Sequence, residues 1–204
     1  MDKGRLFVIS GPSGVGKGTI IKEIMNSTSN VRLSISATTR VPREGEKDGE
    51  SYFFLTDEEF RKKIEAEGFL EYASVHGSFY GTPKQPVMNA LKDGSDVILE
   101  IDVQGAMQVK DSFEDGVYIF VLPPSMELLV KRIRDRGTES EEDIHLRLGK
   151  AMDEIRYLDK YDYYVINDDL KLAVSEIEAI MSAEYHRTED NAEKLLIKYE
   201  EESK

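Results

Sequence analysis

The chain has 204 residues, 40% of them apolar and 9% aromatic. This suits one solid core, or a core with a small insert, and excludes a fibrous or wholly disordered chain. Its net charge of −13 argues against a nonspecific nucleic-acid binder, and its lack of cysteine removes disulfides, thiolate metal sites and cysteine nucleophiles.

Met1-Asp2-Lys3-Gly4 leads straight into an apolar run, leaving no room for a secretory signal. With no cysteine and no run near the roughly 20 residues of a membrane span, a cytoplasmic protein is expected. Arg5–Ser10 reads as a buried strand ending at a glycine-rich turn, and Ile20, Ile21 and Ile24 share a face of a helix from about Lys17 to Asn26. Val31–Ala37 reads as the next strand. Residues 41–82 then break the rhythm, with two aromatic strand-like runs, Tyr52–Leu55 and Phe69–Val75, around a short helix capped by Thr56 and Glu59. This predicts an inserted lobe. Thr82-Pro83-Lys84-Gln85 looks like a helix start, with threonine as cap.

Asp96–Asp102, Val117–Leu122 and Tyr163–Ile166 complete the strand set, with helical patterns between several of them. Ser125 is the expected N-cap of a helix running to Arg136 and stopped by Gly137. Ile144, Leu148, Ala151, Met152, Ile155 and Leu158 recur at helical spacing, and the tail from Leu170 is helical, with a stripe of Ala192, Leu195, Leu196 and Tyr199. The alternation predicts an α/β fold with a mainly parallel sheet.

Gly11-Pro12-Ser13-Gly14-Val15-Gly16-Lys17 sits between strand and helix, the context a P-loop requires. Its glycines let successive N–H groups turn toward a polyphosphate, and the helix N-terminus adds partial positive charge. Lys17 adds a point charge for the β- and γ-phosphates. Gly18 precedes Thr19 where the general pattern has the hydroxyl next to the lysine, so Mg²⁺ is expected to be held mostly through phosphate oxygens and water, with Thr19 or Asp102 as candidate ligands. His76, His145 and His186 are too scattered for a histidine metal cluster. Residues 1–43 hold seven basic side chains against two acidic ones, leaving −18 on the remainder. That arrangement fits a small anionic ligand met by a few placed cations.

In Ser34–Arg43, Arg40 and Arg43 can fork around a second phosphate, and Tyr52 and Tyr80 add hydroxyls. Together with Gly11–Thr19, Gly45–Phe54, Phe69–Tyr72, Leu99–Gly105, Arg132–Glu142 and Ile166–Asp168, this run resembles the guanylate kinase family over nearly the whole chain. The resemblance implies a P-loop NTPase core (1–40, 83–124 and 160–204), a GMP-binding lobe (41–82) and a helical lid (125–159). It implies ATP and GMP as substrates, dGMP as a further candidate acceptor, Mg²⁺ accompanying ATP, and neither nucleic acid nor membrane as partner.

Carried over by position, the resemblance puts ATP on Gly11–Thr19 with Asn167 near the adenine. The GMP phosphate falls among Arg40, Arg43, Tyr52 and Tyr80, and the guanine faces Ser36, Glu71, Thr82 and Asp102. The chemistry agrees. Guanine presents adjacent N1–H and N2–H₂ donors that a carboxylate such as Glu71 can accept together, whereas adenine offers an unprotonated N1. Glu100 and Asp102, read as sharing a strand face, could order magnesium waters, contact guanine or its ribose, or brace the P-loop.

The GMP phosphate has a second pKa of about 6 and needs no general base, so positioning and charge stabilisation carry the reaction. Arg132 and Arg136, four apart on one helix, and Arg147 on the next, are read as lid arginines over the ATP phosphates. With Lys17 and Arg40 they form the expected catalytic set. Asp102–Gly105 also matches the Asp-x-x-Gly of GTPases, but no Asn-Lys-x-Asp accompanies it. The remaining rivals are another P-loop small-substrate kinase and a guanylate-kinase-like module that binds phosphorylated peptides.

Overall fold

In chain order the elements are β1 (Leu6–Ser10), α1 (Lys17–Ser27), β2 (Val31–Leu33), β3 (Ala37–Thr38), β4 (Phe53–Phe54), α2 (Asp57–Glu65), β5 (Phe69–Val75), β6 (Ser78–Pro83), α3 (Lys84–Lys92), β7 (Asp96–Glu100), α4 (Val103–Ser112), β8 (Val117–Leu122), α5 (Met126–Arg134), α6 (Glu141–Ile155), a 3₁₀ turn (Leu158–Lys160), β9 (Tyr163–Ile166), α7 (Leu170–Glu184) and α8 (Thr188–Glu202). The computed structural model describes residues 3–135 and 141–203, apart from the side chains of 141–143, 145, 189 and 190.

The parallel central sheet runs β2-β7-β1-β8-β9. Its strands are continuous apolar runs because helices cover both faces. Phe7, Ile9, Ile98, Ile119 and Val121 pack with Ile20, Ile21 and Ile24 of α1 and Ile177 of α7. Leu6, Val8, Leu99 and Tyr118 pack on the other side with Leu91 of α3 and Val109 of α4. A second sheet, ordered β4-β3-β6-β5, spans Ala37–Pro83. α2 closes it, with Phe60 stacked between Phe69 and Phe79 at 4.3 and 5.3 Å. The Thr56–Glu59 capping box forms as expected.

Several elements differ from the sequence expectation. Val31–Ala37 is not one strand. Val31–Leu33 pairs with β7 in the central sheet, while Ala37–Thr38 pairs with β4 and β6 in the other. The apolar alternation is continuous, but the backbone hydrogen bonds go to two different partners. The Asp96–Asp102 strand ends at Glu100, and Asp102 is the N-cap of α4, its Oδ1 accepting the Gly105 N–H at 2.8 Å. A cap aspartate satisfies one of the helix's orphan donors, so Glu100 and Asp102 do not share a strand face.

Thr82 does not cap α3 either. It is the fifth residue of β6, and Pro83 takes the cap position without a side-chain bond. The Thr82 hydroxyl is used by Glu71 instead, and Gln85 bonds Asn89. Leu158 belongs to the separate 3₁₀ turn, not to α6. The helical tail is two helices, broken where Tyr185 turns its hydroxyl onto Asp96. Ser125 caps α5 as expected; Arg136 and Gly137 lie outside the described residues. No helix among the described residues is long and apolar enough to cross a membrane.

Candidate active site

Residues 11–16 turn between the C-terminal end of β1 and the start of α1, and glycine is required there by contact as well as by dihedral. Gly11 has φ +145°, and a Cβ on it would lie 2.2 Å from the Val121 carbonyl oxygen. Gly16 has φ +102°, and a Cβ there would meet Asn167 Nδ2 at 2.5 Å. Lys17 folds back to donate from Nζ to the carbonyls of Gly11 (2.5 Å) and Pro12 (3.3 Å).

The far side of the loop is braced. Asn167 Nδ2 donates to Val15 O at 2.8 Å, and Arg132 donates to Val15 O at 3.2 Å and to Asn167 O at 2.9 Å. Two donors on the Val15 carbonyl hold that peptide's oxygen outward. Asn167 is buried and here supports the loop. Pro12 and Val15 are buried, and Ser13, Gly18 and Thr19 face solvent at the mouth of the cradle.

Glu154, which the sequence did not single out, comes down from α6 onto this cradle. Its carboxylate lies near the Ser13 N–H and faces Lys17 and Asp102. Burial pushes its pKa up, and the Lys17 ammonium opposes the rise. Arg147, half-buried, stands seven residues earlier on α6 and therefore on the same face. The Tyr161 hydroxyl lies beside Ser10, Asp102 and Glu154, and burial pushes it up to about 12. It closes no hydrogen bond among the described residues. Arg136, the third expected lid arginine, lies outside the described residues.

The second half of the site lies across the seam between the two sheets. Strands β5 and β6 put Glu71 opposite Thr82, and Thr82 Oγ1 donates to Glu71 Oε1 at 2.6 Å. Glu71 is 8% exposed. Burial raises its pKa, the Thr82 bond opposes this, and the charge of Asp102 adds to it. A Cβ on Gly105 would sit 3.1 Å from Glu71 Oε2, so glycine leaves that oxygen approachable at the start of α4. Ser36 is half-buried where the chain crosses from β2 to β3.

At the outer end, Arg40 grips Glu46 with Nη2 at 2.8 and 3.0 Å, and the Arg43 N–H donates to the same carboxylate at 2.7 Å. Arg40 holds Glu46 below the usual carboxylate range. The Arg40 guanidinium lies 5.5 Å from the Tyr52 ring centre, and Tyr80 stands edge-on to Tyr52 at 6.2 Å. Where a phosphate fork was expected, the Arg40 guanidinium and the Arg43 backbone N–H thus meet an internal carboxylate. Glu46 lies three residues beyond Arg43, and its spacing within the arginine-rich turn was the available signal. Glu100 is placed apart from Glu71: a Cβ on Gly18 would lie 3.4 Å from Glu100 Oε1, which puts this carboxylate beside the phosphate loop.

The arrangement offers two anion cradles, each met by a glutamate of the chain, and between them a buried carboxylate–hydroxyl pair suited to a base with adjacent N–H donors. Among the described residues no three His, Asp or Glu side chains converge as a metal site.

The family model described as guanylate kinase matches residues 3–184. Among curated proteins, the guanylate kinase of Caldanaerobacter subterraneus subsp. tengcongensis is 54% identical over 201 residues, covering 98% of this chain and 97% of its own. That of Clostridium tetani is 52% identical over 200 residues, covering 98% and 96%. A crystal structure of guanylate kinase from Anaplasma phagocytophilum superposes with a TM-score of 0.72 at 34% identity, over 92% of this chain and 89% of its own. The protein TT1252 from Thermus thermophilus, at 16% identity and a TM-score of 0.51 over 89% and 98% of the two chains, shares the fold alone.

Proposed function

The chain belongs to the guanylate kinase family and transfers a phosphoryl group from ATP to GMP, and from that premise we propose how its own residues divide the work. Gly11–Thr19 wrap the ATP phosphates, with Asn167 and Arg132 holding the loop open through Val15 O. Glu71 accepts the two guanine N–H donors at its buried carboxylate, which the Thr82 hydroxyl orients, while Ser36 serves O6 and Asp102 lies close by. Arg40, Arg43, Tyr52 and Tyr80 take the GMP phosphate in place of Glu46. Glu100, beside Gly18, works on the ATP side. Residues 1–40, 83–124 and 160–204 serve as core, 41–82 as acceptor lobe and 125–159 as lid.

In the reaction an oxygen of the GMP phosphate bonds to the γ-phosphorus as the bond to the β,γ-bridging oxygen breaks, leaving ADP and GDP. Lys17, Arg40, Arg132, Arg136 and Arg147 spread the charge of the transferring group; they transfer no proton. Mg²⁺, when bound with ATP, supplies charge neutralisation across the β- and γ-phosphates. Among the described residues no acidic cluster stands ready to hold it, and Thr19 and Asp102 would meet it directly or through its waters. The role proposed for the chain is cytoplasmic purine nucleotide metabolism.

The observation that carries this reading is the buried Glu71–Thr82 pair at 2.6 Å. Sites built to pair with a substrate's N–H groups reject analogues lacking them by ~10⁴-fold. ADP release measured with ATP and GMP, AMP or no acceptor tests it. Turnover should require GMP, and equal rates with AMP would overturn the assignment of Glu71 to the base.

A further inference from the structure

Glu71 stands on a strand that its sheet does not hold on both sides. β5 is the edge of the second sheet, with β6 as its one strand neighbour. Its register also slips just before Glu71. Phe69 pairs with Pro83 and Glu71 with Thr82, so β5 takes two steps where β6 takes one. A bulge of this kind interrupts the ladder, bends the strand and re-aims the side chain beside it. An edge strand bent in this way needs a second support to fix where the next carboxylate points.

Helix α4 supplies that support along one face, through Gly105, Ala106, Gln108 and Val109, whose spacing is that of a single helix side. Leu70, 5% exposed, belongs to the same apolar cluster as Ala106 and Val109. A Cβ on Gly105 would lie 3.1 Å from Glu71 Oε2 and 3.4 Å from its Cδ, so the helix backbone passes close beside the carboxylate. Gln108 Oε1 then accepts the Tyr72 N–H at 3.1 Å. That N–H belongs to the peptide joining Glu71 to Tyr72, and it faces away from β6, where an edge strand has no ladder partner. Three consecutive residues of β5 are thus each met by α4.

Two anchors therefore bracket Glu71. The Thr82 hydroxyl holds its carboxylate from one side, and the Gln108 amide oxygen holds the peptide that follows it. We propose that Gln108 is a positioning residue for acceptor choice: without touching the nucleotide, it fixes the backbone that aims the Glu71 carboxylate at the paired N–H donors of guanine. This rests on the assignment of Glu71 to the base. A carboxylate that must meet two donors at once is constrained in angle as well as distance, so a tilt costs it more than it costs a carboxylate meeting one. Losing Gln108 should therefore harm GMP more than inosine monophosphate, whose base keeps N1–H and lacks the 2-amino group.

The test is steady-state kinetics of the full-length Gln108→Leu variant with GMP and with inosine monophosphate as acceptors. Gln108 is exposed and leucine is a good helix former, so the melting temperature should stay within about 2 °C of the parent. The KM for GMP should rise about tenfold, and the preference for GMP over inosine monophosphate should fall about fivefold, the scale of a slightly misplaced binding group. The KM for ATP should not move. Gln108→Glu, which keeps an acceptor oxygen at the same reach, should recover most of both losses. An unchanged KM for GMP, a loss shared equally by the two acceptors, or Gln108→Glu behaving like Gln108→Leu overturns the proposal. Glu71→Gln, assayed beside them, separates the two readings. If it cripples GMP turnover while Gln108→Leu does nothing, Gln108 is no positioner and the base assignment stands; if neither variant disturbs GMP, the base assignment itself fails.

Discussion

Thr82 Oγ1 donates to Glu71 Oε1 across neighbouring strands, which uses the only proton of that hydroxyl on the carboxylate and leaves Oε2 facing Gly105. Burial raises the Glu71 pKa, so the ionised side chain costs folding free energy in the empty protein. For a folded-state value above the unfolded one, that cost is absent below about 4.3 and grows as pH rises through the folded value. Glu71→Gln should therefore raise the melting temperature at pH 7 and leave it unchanged near pH 4. The same variant should lose GMP turnover by at least ~10²-fold with ATP binding unaltered. Equal losses of both substrates would count against direct base reading.

At the other cradle, the Glu154 carboxylate lies near the Ser13 N–H and faces the Lys17 ammonium. An ATP phosphate needs the same donors. Glu154→Gln keeps the shape and removes the competing charge, so it should tighten binding of a non-hydrolysable ATP analogue by roughly three- to tenfold, about 1 kcal/mol. The KM for GMP should not change. Weaker analogue binding would show that Glu154 holds the loop together instead.

Lys17→Ala should cut kcat by at least ~10²-fold, the scale of losing one charge aimed at the transition state. The Lys17 ammonium donates to the Gly11 and Pro12 carbonyls of its own loop, contacts internal to the cradle, so thermal stability should fall far less than turnover. A large drop in melting temperature with near-normal turnover would contradict the catalytic role.

Arg40→Lys keeps the charge and removes the planar guanidinium, whose Nη2 meets both Glu46 oxygens while Nη1 donates to Val41 O. A lysine cannot chelate a phosphate in that way. The KM for GMP should rise about tenfold while that for ATP stays put, measured by varying each substrate in turn.

Arg132→Ala removes the bonds to Val15 O and Asn167 O and leaves Asn167 as the remaining brace. The KM for ATP should rise and kcat should fall together. A change confined to kcat would place Arg132 on the transferring phosphoryl group alone.

What was legible in the sequence is mostly what is local. The strand–loop–helix of residues 6–27, the Thr56–Glu59 box and the Ser125 cap depend on residues a few positions apart, and all formed as read. The split at Ser34–Ser36 was hidden because alternation records which face is apolar, not which strand supplies the hydrogen bonds. Asp102 was misread for the same reason: an aspartate ending an apolar run fits a strand end and a helix cap equally well. Glu154 was invisible because its partners, Ser13 and Lys17, belong to the other end of the chain. On α8, Leu195, Leu196 and Tyr199 do form a stripe, but they are 47%, 62% and 60% exposed; helical spacing shows a face without showing that anything covers it.

The hairpin of β5 and β6 is fastened to α4, with the Tyr72 N–H donating to Gln108 Oε1 at 3.1 Å, whereas Arg40 and Arg43 lie on the chain beyond the short strand β3. On the proposed division of roles, the base is chosen where two strands and a helix are hydrogen-bonded together, and its phosphate is gripped on the loop beyond β3. A wrong purine meets its mismatch at the seam, whatever posture the outer arginines have taken.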